Sequence, residues 1–116
     1  MNLQKLLILL NASALSVANL HSLPLSAIYL LILIQDIDNK EKMLKTLISE
    51  VEKLTNTFSA KQAAERLIND NYIKSDNLKF VIGSPFNRFY SLTHQGREVL
   101  LSLQVETEKS LKSVKF

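Results

Sequence analysis

The sequence predicts a mainly α-helical domain. Two helices joined by a short turn lead into a two-stranded β-hairpin, and a long helix follows. Three observations predict this. Glycine and proline are scarce, two of each in 116 residues, which argues for helices with few sharp turns rather than a β-sandwich. Apolar residues recur at helical spacing through 39–54 and 57–70. Two β-prone runs, 79–82 and 88–92, flank Gly83-Ser84-Pro85-Phe86-Asn87, a normal loop length for a hairpin. The length fits one domain, divided into an N-terminal helix (1–21), a core (22–92) and a C-terminal helix (93–116).

In the first helix, Leu3, Leu7, Leu10, Ala14, Val17 and His21 alternate steps of four and three, a heptad-like stripe. A small domain has little room to bury both this stripe and the next helix, so it is expected to pair two copies; the alternative is packing across its own domain. Ser22 and Pro24 suit the start of a helix over 23–35. Apolar on every side, that helix is expected at the centre of the core, with the Tyr29 hydroxyl at an edge where it finds a partner.

Asp36 to Asn39 breaks the pattern, and Asp38 with Glu41 resembles a capping box for a helix over 39–54. Leu44, Leu47, Ile48, Val51 and Leu54 mark its core face. Glu41 and Lys45 form an i, i+4 pair worth about 0.3 kcal/mol. In the helix over 57–70, Ala60, Ala63, Ala64, Leu67 and Ile68 point inward, small enough for close approach to the preceding helix. Asn71 stands where a left-handed residue ends that helix. Tyr72 and Ile73 return the chain to the core, and 74–77 is a polar turn before the hairpin. Thr93 caps the last helix, whose Leu100, Leu103, Thr107, Leu111 and Val114 again step by three and four. The expected dimer contacts are therefore Leu3, Leu7, Leu10, Val17, Leu100, Leu103 and Leu111.

Composition excludes several classes. With no cysteine, disulfides, zinc fingers and thiol catalysis are ruled out. His21 and His94 lack metal-ligand spacing, and no carboxylate pair or Gly-rich phosphate loop stands out. The chain reads as no enzyme, with no cofactor. The apolar run 6–10 is interrupted by Asn11 and Ser13, and the run 23–34 is shorter than the ~20 residues that span a bilayer. A cytoplasmic protein without a membrane partner is expected. The net charge of +3 is mild, but residues 58–97 hold six Lys/Arg against three acids, matching the whole chain's excess.

Residues 88–100, RFYSLTHQGREVL, resemble the wing-to-helix signature Arg-x-Tyr-x-Leu-Thr-x-x-Gly-x-x-x-Leu of MarR- and PadR-type regulators. AAERLINDNYI (63–73) is similar to the end of their recognition helix, and LPLSAIYLLILI (23–34) to their core helix. Asn71 replaces their common glycine, and the wing lacks the Asp-x-Arg pattern of MarR proteins, which places it closer to PadR. The resemblance, over about residues 23–105, implies a winged helix-turn-helix and a homodimeric transcriptional regulator, often a repressor, that reads double-stranded DNA; with the apolar stripes of the first and last helices, N- and C-terminal dimerisation helices are expected.

On that reading Thr57, Ser59, Lys61 and Gln62 occupy the first turns of the recognition helix, where side chains reach base edges. Arg66, one turn on, suits a phosphate. Ser59 and Gln62 also form a Ser-x-x-Gln capping box, which would turn them to the helix instead. In the wing, Asn87 and Arg88 are candidates for the minor groove and Lys79 for the backbone. Phe86 at the hairpin tip either wedges against DNA or folds back onto the sheet. Two alternatives stay open: a plasmid or phage centromere-binding protein of TubR type, and a winged helix used as a protein-interaction module without DNA. The apolar first helix leaves room for a small-molecule effector.

Overall fold

In the computed structural model the described residues are 3–36, 39–55, 59–75 and 84–113, with backbone alone for 3–10 and 110–113. The elements in chain order are α1 (Leu3–Leu20), α2 (Leu25–Gln35), α3 (Leu44–Thr55), α4 (Ala60–Asn69), β1 (Ile73–Ser75), a 3-10 turn (Pro85–Asn87), β2 (Tyr90–Leu92) and α5 (His94–Ser113). The molecule is mainly helical with a two-stranded antiparallel sheet. The helix-turn-helix order followed by strand pairing is present. Among the described residues, no single helix is long and apolar enough to cross a membrane.

As its composition dictates, α2 is the hub. Its Ala27, Ile28, Leu30 and Leu31 are fully buried, and it touches α1, α3, α4, α5 and β2. The Tyr29 hydroxyl donates to Asn11 Oδ1 of α1 at 2.6 Å, the edge partner expected of it. Burial pushes its pKa up.

Helix starts depart from the sequence reading. Ser22 does not cap α2; it has a positive φ of 54° and ends α1. The Leu23 amide donates to the Ala18 carbonyl at 2.8 Å and the Ser22 amide to Asn19 at 3.3 Å, a Schellman closure usually built on glycine. Pro24 then takes the N-cap position of α2. α3 begins at Leu44, well after the expected start at 39, because Asn39 serves α2 instead. Asn39 is buried, its side-chain amide donates to the Leu33 carbonyl at 3.0 Å, and its own N–H donates to Asp36. Lys42 pairs with Glu50 at 2.8 Å, replacing the expected Glu41–Lys45 pairing. Asp38 lies outside the described residues. Leu54, expected on the core face, is 65% exposed.

β1 pairs with β2 in the register Ile73↔Leu92, Lys74↔Ser91 and Ser75↔Tyr90. Lys74 and Ser75 are thus in a strand rather than a polar turn, because the buried pair Ile73 and Leu92 sets the ladder. The expected strand 79–82 lies outside the described residues. The second strand begins at Tyr90 rather than at 88 because 85–87 forms the 3-10 turn. There Ser84 Oγ accepts from the Phe86 amide at 3.2 Å, and Pro85 fixes the first position.

α1 lies against α5 within one chain. Ala14, Val17 and Ala18 of α1 and Val99, Leu100 and Leu103 of α5 are buried there. His21 Nε2 meets Ser102 Oγ at 3.2 Å and ties the end of α1 to α5. Val17, Leu100 and Leu103, expected between two copies, are buried within the protomer, where its own chain already covers most of their apolar surface. The side chains of Leu3, Leu7, Leu10 and Leu111 lie outside those described.

Candidate nucleic-acid interface

α4 is two-faced. Ala60, Ala63, Ala64 and Leu67 are buried against α2 and α3, and the alanines let the backbones approach closely. Lys61, Gln62, Glu65, Arg66 and Asn69 are exposed. The C-terminus closes as the sequence predicts: Asn71 has a φ of 63°, with Tyr72 N–H donating to the Leu67 carbonyl at 2.9 Å and Asn71 N–H to Ile68 at 3.3 Å.

At the other end, Ser59 takes the N-cap position but makes no capping hydrogen bond. Its Oγ lies 2.8 Å from Ser26 Oγ on α2 instead. The capping-box reading of Ser59 with Gln62 therefore gives way: Ser59 anchors the start of α4 to the central helix, and Gln62 stays on the exposed face. The signal overlooked was Ser26, a serine inside an apolar helix, whose burial requires a hydrogen-bond partner.

The structure brings the 3-10 turn beside α4. Phe86 is half-buried against the core and Lys61 Nζ sits 5.7 Å from its ring centroid, a cation–π contact. Phe86 thus folds back, the second of its two expected fates. Asn87 is exposed at the end of the turn. Arg88 is half-buried instead of projecting, with its carbonyl accepting from the Leu44 amide at 3.0 Å. Burial raises the Tyr90 pKa, and the Arg88 charge offsets part of that rise. Arg66 bonds Asp70 one turn on at 3.5 Å. Thr57 and Lys79 lie outside the described residues.

The Leu-Thr-x-x-Gly run acquires a physical reason. Thr93 Oγ1 accepts from the Gly96 amide at 3.2 Å, capping α5, and donates to the Asn71 carbonyl at 2.6 Å. The Thr93 amide donates to the Tyr72 carbonyl at 3.1 Å. That same carbonyl packs onto Gly96, where a Cβ would overlap its oxygen. The run therefore locks the end of α4, the sheet and the start of α5 into one joint. Compared with family models, curated proteins and solved structures, the chain finds no match.

Proposed function

We propose that the protein binds double-stranded DNA as a homodimer, laying α4 in the major groove as a winged helix-turn-helix regulator. The observation that carries this reading is the exposed face of α4, with Lys61, Gln62 and Arg66 on a helix held rigidly from behind and Asn87 on the adjoining turn. A helix of that width fits the groove, where glutamine pairs with adenine and lysine reaches guanine. Exposed Leu101 and Val105, one turn apart on α5, offer apolar surface to a second copy. A repressor and a centromere binder both follow from this surface; one palindrome or a long repeat array in the footprint distinguishes them. Lys61→Ala with Arg66→Ala should weaken duplex binding about tenfold or more, at one charge-assisted contact each. The check is fluorescence anisotropy beside a sedimentation measurement of the dimer. Unchanged affinity would place the DNA contact elsewhere.

A specific observation favours a second reading, a protein-interaction module. Lys61 and Arg66 are matched on the exposed α4 surface by Glu65 and Asp70, so its net charge is zero.

A further inference from the structure

A cleft of about 450 Å³ opens between the end of α2, the sheet and the first turn of α5. None of its lining residues belongs to α4. Its walls carry Lys40 from the segment between α2 and α3, Lys74 of β1 and Arg97 of α5, against one carboxylate, Asp36. Among the described residues neither Lys40 nor Lys74 makes an ion pair. Arg97 is positioned by a hydrogen bond from its guanidinium to the Leu92 carbonyl at 3.2 Å. Ile34, Tyr90 and Leu92 supply apolar surface between the charges.

We propose that this cleft binds a small phosphorylated ligand. A phosphate monoester carries close to two negative charges and three terminal oxygens at neutral pH, enough to meet three cations from different directions. A carboxylate has two oxygens and one charge. The volume is within the range of small-molecule sites, and the apolar surface can take the organic part. The C-terminal end of α2 at the cleft edge bears partial negative charge, so the side-chain cations rather than backbone amides are the anion's partners.

The cleft also touches the candidate interface. The Tyr90 hydroxyl donates to the Pro85 carbonyl at 2.9 Å, and the turn that begins at Pro85 carries Phe86 beneath Lys61. A ligand seated against Tyr90 thereby bears on the turn beside α4. This consequence rests on the DNA reading; the binding itself does not.

Isothermal titration with adenosine monophosphate and inorganic pyrophosphate, without DNA, tests the site. Saturable binding with one site per chain is expected. Lys40→Ala with Lys74→Ala should weaken it about tenfold or more, while the exposed pair Lys45→Ala with Lys53→Ala leaves it unchanged. No saturation in the parent protein overturns the proposal, as does equal loss in both variants, which would reveal only general charge attraction.

Discussion

Among the described residues, two positions adopt a backbone conformation that L side chains resist, and both close helices. Ser22 has a φ of 54° and Asn71 one of 63°. Asparagine tolerates this region through its short polar side chain; serine has less to offset the steric cost. Ser22→Gly should therefore raise the unfolding free energy by about 0.5–1 kcal/mol, read from the urea midpoint at constant slope. A loss of stability would mean that the serine side chain contributes more than its backbone costs. Gly96 predicts the opposite sign. Its helix packs directly onto the Tyr72 carbonyl, which already accepts from Thr93, so the oxygen cannot withdraw without breaking a bond. Gly96→Ala, normally favourable in a helix, should cost about 1–3 kcal/mol of overpacking, measured by the same denaturation. A gain in stability would show that the joint is loose.

The elements separate what periodicity reveals from what it conceals. The largely apolar α2, the alanine face of α4 and the left-handed Asn71 were legible because each follows from local chemistry and one period. The start of α3 was not, because Asn39 turns back to a carbonyl on α2, a contact across the chain that no local pattern contains. The capping role of Ser59 failed in the same way, through Ser26. The stripes on α1 and α5 were legible as apolar faces, but an apolar face does not name its partner; here the two helices touch within one chain, and among the described side chains Ala14 and Val17 on α1 and Leu100 and Leu103 on α5 are buried. Leu103→Ala should accordingly lower the unfolding free energy by about 2–4 kcal/mol at every protein concentration. Leu101→Lys, at a position 55% exposed, should leave protomer stability within about 0.5 kcal/mol and weaken self-association in sedimentation velocity. If Leu103→Ala dissociates a dimer of unchanged protomer stability, the α1–α5 packing belongs between copies after all.

As a whole the molecule measures 52 × 26 × 24 Å, elongated rather than spherical. The central claim is that it places α4 and the adjoining turn on duplex DNA. The neutral sum over the exposed α4 face makes the electrostatics of that claim its sharpest point, because a DNA reader must neutralise phosphates with cations near the helix. The most direct measurement is fluorescence anisotropy of a labelled duplex, drawn from fragments selected on the immobilised protein, titrated across a series of salt concentrations. The DNA reading predicts that log affinity falls linearly with log salt at a slope steeper than about −3, several phosphates per dimer. Absence of binding to any selected duplex, or a slope near zero, would contradict it and leave the surface of α4 to a protein partner.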